Sequence, residues 1–146
     1  MSAQRVILHP TDFSSSSAKA FVVACSLARD HSARLLMLHV APQPLTSLGG
    51  TQAVPPGREE FDLGESRKKL AEIPAPAGVT METRLEVGNE ADTIVKAARD
   101  AGCELIVMGT HGRSGVSRLL MGSVAEQVVR RAPCPVLTLR SEPIKR

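Results

Sequence analysis

Aromatic residues are almost absent from this chain of 146 residues, which has three Phe, no Trp and no Tyr. Proteins that bind single-stranded nucleic acid usually stack the bases on aromatic side chains. The scarcity of such rings argues against a nucleic-acid platform, and we expect no nucleic-acid partner.

Cysteine-based sites and long apolar runs are also missing. Cys25, Cys103 and Cys134 are odd in number and form no C-x-x-C pair, so the pattern indicates neither a disulfide framework nor a zinc site, and we predict buried structural thiols. Nothing approaches the roughly 18 apolar residues of a membrane span, and the first ten residues lack the apolar core of a signal peptide. We therefore expect a cytoplasmic protein with no membrane partner.

The composition is that of an ordinary globular protein, with 42% hydrophobic and 23% charged residues. Its length predicts one domain over residues 1–146. The net charge of +3 is unevenly distributed, because residues 1–104 carry 11 Lys/Arg and 13 Asp/Glu, whereas residues 105–146 carry 7 and 2. Two interpretations stay open: a surface that faces phosphate around Arg113 and Arg118, or a solvated basic C-terminal tail over 141–146.

Apolar segments alternate with segments of helical periodicity along the chain. Three apolar runs predict buried strands, and a segment with alternating polarity predicts a half-exposed edge strand. A short apolar run at 136–139 predicts a last strand at the other sheet edge, and four helices lie between the strands. This alternation predicts a doubly wound parallel α/β sheet with helices on both faces. The predicted strands are 5–9, 35–40, 79–87, 105–109 and 136–139, and the predicted helices are 15–31, 59–73, 91–101 and 123–132. Residues 41–58, with four prolines and three glycines, predict a functional flap or a disordered loop.

A glycine-bearing loop joins the fourth strand to the fourth helix. Its spacing is G-x2-G-x9-G-S, from Gly109 through Gly112 to Gly122 and Ser123. It is not a Walker A loop, because Ser123 stands where that motif needs Lys, and it is not a Rossmann fingerprint. Strand, glycine loop and helix together favour an anion site, since backbone N–H groups and the helix N-terminus both attract phosphate.

This spacing resembles the nucleotide-binding signature of the universal stress protein family, in the branch whose members hold ATP. The likeness extends over nearly the whole chain. It includes the segments 10–14 (PTDFS), 39–40 (HV), 88–94 (GNEADTI) and 133–137 (PCPVL).

The resemblance implies a single-domain sheet with strand order 3-2-1-4-5, and a homodimer formed through the last strand, Val136–Leu139. It implies ATP as the ligand, with Mg²⁺ held mainly by phosphate oxygens and water and with Asp12 as the nearby carboxylate. Asp12 and Val40 would contact the adenine and ribose, the glycines would wrap the phosphates, and Ser123 would bind a phosphate oxygen. The implied nucleotide-binding residues are Asp12, Val40, Met108, Gly109, His111, Gly112, Arg113, Gly122, Ser123 and Val124.

Several of these residues have a second interpretation without a ligand. Ser123 and Glu126 form the pattern of a capping box, and Asp12 has the residue type of a helix cap. Gly112 and Gly122 fit turn positions with positive φ. His111 and Arg113 fit solvated loop positions equally well, and we predict that His9 and His39 are hydrogen-bonded core histidines.

The resulting hypothesis is a regulatory, stress-response nucleotide-binding protein. The sequence offers no convincing general base beside an attacking water, so we assign no catalytic residue and expect at most slow ATP hydrolysis. Two alternatives stay open: an interaction module that acts through its dimer and basic C-terminal surface, and an ATP-using transferase.

Overall fold

The computed structural model describes residues 4–42, 58–110 and 121–140, with only the backbone of 58–62. Most of the predicted flap, loop residues 111–120 and the tail 141–146 lie outside these ranges.

Strands and helices alternate along the described chain, as predicted. The five strands are β1 (Val6–Pro10), β2 (Arg34–Ala41), β3 (Met81–Val87), β4 (Leu105–Gly109) and β5 (Val136–Leu139). The four helices are α1 (Ser15–Asp30), α2 (Arg58–Glu72), α3 (Glu90–Ala101) and α4 (Ser123–Arg131). The boundaries differ from the predicted ones by one or two residues; for example, β3 begins at Met81 rather than at Val79.

The strands form one sheet in the order β3-β2-β1-β4-β5, and every pair is parallel. This confirms the predicted fold class and strand order. β1 is the central strand, and the chain adds strands first on its β2 side and then on its β4 side. The strand order therefore reverses between β1 and β4, which is where ligands of doubly wound sheets bind.

The sheet buries apolar side chains on both faces. On one face Leu8, Leu36 and Ile106 pack with Ile94 of α3 and Val128 of α4. On the other face Ile7, Leu35 and Val107 pack with small residues of α1, which are Ala20, Ala24 and Ala28. Short side chains on α1 let this helix approach the sheet closely. The approach is close at Gly109, the end of β4, where a side chain would meet Ser16 of α1.

Three of the helix ends have identifiable caps. The hydroxyl of Ser14 accepts a hydrogen bond from the Ser17 amide at 3.2 Å at the start of α1, and Asn89 caps α3 in the same way through the Asp92 amide at 3.0 Å. Gly102 ends α3 in the left-handed conformation, with φ of +61°. The interpretation of Asp12 as the cap of α1 is therefore wrong, because Ser14 occupies that position.

The capping-box interpretation of Ser123 is also wrong. The N-cap of α4 is Gly122, Ser123 is the first helical residue, and no side chain caps this helix end. The S-x-x-E pattern is present, but it is displaced by one residue from the position at which the serine would cap.

The three thiols are free, with Cys25 and Cys103 buried and Cys134 half-buried. Burial raises the pKa of all three thiols, that of Cys103 to about 11. Such thiols are poor nucleophiles at neutral pH, in keeping with the structural role predicted for them.

Candidate functional site

A cleft of about 610 Å³ lies at the carboxyl edge of the sheet, over the ends of β1, β2 and β4. Helix N-termini surround it because each helix that follows a parallel strand begins at this edge. Its described lining comprises Pro10, Thr11, Asp12, Phe13, Ser17, His39, Val40, Ala41, Pro42, Glu65, Ser66, Lys69, Glu90, Met108, Gly109, Thr110, Gly122, Ser123, Val124 and Ala125.

Most of the residues predicted for the site line this one cleft. They are Asp12, Val40, Met108, Gly109, Gly122, Ser123 and Val124. The other three, His111, Gly112 and Arg113, lie outside the described residues. The fold thus gathers residues that are more than 100 positions apart in the sequence, and their contacts with a ligand stay a prediction.

Asp12 is held by the first turn of α1. Its Oδ1 accepts hydrogen bonds from the Ser17 hydroxyl at 2.7 Å and from the Ser14 amide at 3.0 Å. The Asp12 amide in turn donates to the Ser17 hydroxyl at 3.2 Å. This network fixes the carboxylate at the cleft wall, so a ligand would meet it with little loss of side-chain entropy.

An aromatic pair forms the wall beside Asp12. Phe13 has φ of +64°, a conformation in which a bulky side chain is an outlier, and its amide donates to the Thr11 hydroxyl at 3.1 Å. The Phe13 and His39 rings have centroids 4.5 Å apart, and His39 Nδ1 lies 2.8 Å from the Thr11 carbonyl oxygen, to which it donates. For His39 the prediction of a hydrogen-bonded histidine is confirmed, although its ring faces a cleft and not a closed core.

Acidic and basic side chains of α2 and α3 complete the cleft, and the sequence reasoning missed them. Glu65 and Lys69 of α2 and Glu90, the first residue of α3, all line it. Burial raises the pKa of Glu90, and the negative charge of Asp12 adds to this shift. Asp12 therefore shares the cleft with two further carboxylates that the sequence analysis did not propose. Glu90 follows the end of β3 by three residues, and this position in the sequence could have predicted that it lies at the carboxyl edge of the sheet.

The two ends of the glycine loop meet at the cleft floor. The Gly122 amide donates to the Thr110 carbonyl oxygen at 2.6 Å, and the Thr110 amide donates to the Leu139 carbonyl oxygen at 2.9 Å. Gly122 has φ of −69°, so the interpretation of this glycine as a positive-φ turn residue is wrong. The exposed Ser123 hydroxyl stands at the N-terminus of α4, where a helix favours an anion.

Gly109 has a structural requirement of its own. A Cβ at this position would lie 2.1 Å from Ser16 Oγ, 2.9 Å from Ser16 Cβ and 3.0 Å from the Ser16 carbonyl carbon. The glycine therefore admits α1 to the end of β4, whether or not a ligand is bound.

His9 is only partly hydrogen-bonded, in contrast to our prediction. The ring is fully buried, and Nδ1 donates to the Val107 carbonyl oxygen at 2.8 Å. Nε2 has no hydrogen-bond partner in the described part of the chain. Burial lowers the pKa of His9 to about 4, against smaller opposite effects of the Val107 carbonyl and Asp12.

Among the described residues, no three or more His, Cys, Asp or Glu side chains are grouped so that they could hold a metal ion. The same ranges contain no helix long and apolar enough to cross a membrane.

Comparison with known proteins assigns the chain to a family. The model of the universal stress protein family matches residues 4–140. The chain belongs to this family. A universal stress protein of Thermus aquaticus is 39% identical over 140 residues, which cover 93% of this chain and 98% of the relative.

Solved structures of universal stress proteins share the fold. One from Burkholderia pseudomallei is 32% identical, with a TM-score of 0.70 over 92% of this chain and 94% of its own. A universal stress protein in complex with cAMP is 25% identical, with a TM-score of 0.63 over 97% of this chain and 100% of its own.

Proposed function

We propose that this universal stress protein binds an adenine nucleotide in the cleft at the carboxyl edge of its sheet and acts as a regulatory, stress-response protein. The observation that carries the proposal is the convergence of seven predicted site residues on one cleft at the reversal of strand order. The relative in complex with cAMP supports the ligand class. The volume of about 610 Å³ lies within the range usual for small-molecule sites.

The two sides of the cleft suit the two parts of a nucleotide. Backbone groups at Val40 and the apolar side chain of Met108 offer surfaces for a base, while the N-terminus of α4, with Gly122 and Ser123, offers donors for phosphate. Ser123 is free of a capping role, so its hydroxyl is available for a phosphate oxygen. We propose ATP as the ligand, with the whole set of predicted residues around it.

Mg²⁺ is proposed to enter with the nucleotide. Mg²⁺ usually keeps several waters and binds through one or two carboxylates together with the phosphate oxygens of its substrate. Asp12 is the side chain proposed to face the ion, and Glu90 adds a second carboxylate in the same cleft. When bound, the ion would offset phosphate charge beside these two acids.

The proposal is tested by calorimetric titration of ATP with Mg²⁺ into protein purified without nucleotide. We expect Ser123→Ala to weaken ATP binding by about 10-fold to 100-fold, because a hydrogen bond to a charged group contributes about 1.5–3 kcal/mol. Ser26→Ala, an exposed serine of α1 away from the cleft, is the matched control and should bind as the wild type does.

Thermal unfolding of the same variants separates a ligand role from a structural one. Since Ser123 does not cap α4, its replacement should leave the melting temperature close to that of the wild type. A wild-type protein that binds no adenine nucleotide in the titration, and releases none on denaturation, would refute the proposed function.

A further inference from the structure

The described lining of the cleft has an unusual charge balance for a site that takes a polyanion. Among its described lining residues Lys69 is the sole Lys or Arg, whereas three carboxylates, those of Asp12, Glu65 and Glu90, face the same space. Within this described part of the lining, a phosphate group meets repulsion from three carboxylates and attraction from one ammonium group.

Lys69 is held at the cleft rather than projecting freely into solvent. Its Nζ lies 5.4 Å from the centroid of the Phe13 ring, a cation–π distance. The Phe13 ring is itself fixed by its contact with His39. One turn earlier on α2, Glu65 Oε1 lies 3.7 Å from the same Nζ, as an i,i+4 ion pair.

We infer that Lys69 is a specificity-determining residue that sets which charge state of adenine nucleotide the cleft accepts. The inference rests on the proposed function and deepens it, because it concerns the same cleft. The Lys69 ammonium group offsets carboxylate repulsion, so its contribution grows with the negative charge of the ligand. Glu65 acts in the opposite sense, since it adds negative charge and engages the Lys69 amine.

The pattern of affinities over a ligand series distinguishes this role from a structural one. Adenosine, cAMP, AMP and ATP share a base and a ribose but increase in negative charge in that order. A residue that only supports α2 would affect all four alike. A residue that acts through its charge changes the affinity for adenosine least and the affinity for ATP most.

The experiment is calorimetric titration of these four ligands, at low ionic strength and without divalent cations, into the full chain and three variants. For Lys69→Met we expect ATP to bind about 10-fold more weakly, whereas the affinity for adenosine should change by less than about 2-fold. Glu65→Gln should strengthen ATP binding by about 3-fold or more and leave the affinity for adenosine unchanged. Lys68→Met removes the same charge from an exposed neighbouring position on α2 that does not line the cleft, and is the matched control.

Two results would overturn the inference. One is a Lys69→Met variant whose affinities equal those of Lys68→Met, because long-range charge would then account for the whole effect. The other is an equal loss for adenosine and ATP, which marks a structural role. Failure of the proposed function looks different, since the wild type itself would then bind none of the four ligands, and the inference would fall with it.

Discussion

At the scale of single residues, His9 combines full burial with a ring nitrogen that has no partner in the described chain. Its neutral ring donates through Nδ1 to the Val107 carbonyl oxygen, and protonation at Nε2 would place a positive charge on a buried nitrogen that has no partner among the described residues. Burying that charge is unfavourable, and this explains why the pKa is lowered to about 4.

The lowered pKa of His9 predicts a pH-dependent stability. Between about pH 6.5 and pH 4 the unfolded chain binds a proton at His9 that the folded chain does not, so the free energy of unfolding falls as the pH falls through this window. The full loss amounts to about 3 kcal/mol. We expect His9→Asn, which keeps a donor for Val107 but does not titrate, to flatten this dependence in urea unfolding followed by circular dichroism.

The control for this prediction is His31→Asn, at the exposed C-cap of α1. Carboxylates also titrate at low pH, so the informative quantity is the difference between variant and wild type at each pH. Parallel curves for His9→Asn and the wild type from pH 4 to pH 6.5 would show that His9 contributes nothing to this dependence.

At the scale of elements, the contact of β4 with α1 depends on Gly109. An added Cβ would meet Ser16 Oγ, which can rotate away, but also the Ser16 Cβ and carbonyl carbon, which cannot. We expect Gly109→Ala to destabilise the protein by about 1–3 kcal/mol, the usual cost of overpacking. Chemical unfolding measures this loss of stability. Circular dichroism is the suitable probe because the chain has no Trp or Tyr for fluorescence.

Gly64→Ala is the matched control for this change. Gly64 lies within α2, and a Cβ added there would have no atom within 4 Å, so alanine should stabilise the helix by about 0.5–1 kcal/mol. The two glycine substitutions are thus expected to have opposite signs. A Gly109→Ala variant as stable as the wild type would mean that α1 shifts without cost.

The elements themselves were predictable, because their signals are local. Uninterrupted apolar runs marked the interior strands, and the alternating segment marked β3 as an edge strand. Helix ends were less predictable. The sequence contains the S-x-x-E pattern at Ser123. The N-cap, however, is the last residue with an extended backbone before the helix, and this residue is Gly122.

At the scale of the whole molecule, the lining of the cleft was predictable at the ends of the strands and not along the side of the helix that faces the cleft. Asp12, Val40 and Met108 follow from the rule that parallel strands present their carboxyl ends to one edge. Glu65 and Lys69 belong to a helix flank whose orientation depends on how α2 packs on the sheet. No local pattern carries that information, so the walls of the cleft had to come from the structure.

Strand β5 lies at an edge of the sheet, where a second chain could associate with it. This strand pairs only with β4 among the described strands, and Leu137 on it is 37% exposed. An edge strand with an exposed apolar side chain favours pairing with another chain. We therefore propose a homodimer through Val136–Leu139, and expect sedimentation equilibrium at micromolar concentration to give twice the mass of the chain.

A charge placed on this edge should separate the subunits. We expect Leu137→Lys to shift the sedimentation mass to that of a monomer with an unchanged circular dichroism spectrum, because edge lysines oppose strand pairing. Val22→Lys is the matched control, since Val22 is 67% exposed on α1 and lies outside β5. A dimer that persists in Leu137→Lys but dissociates in Val22→Lys would move the interface from the sheet edge to α1, and a monomeric wild type would exclude the dimer altogether.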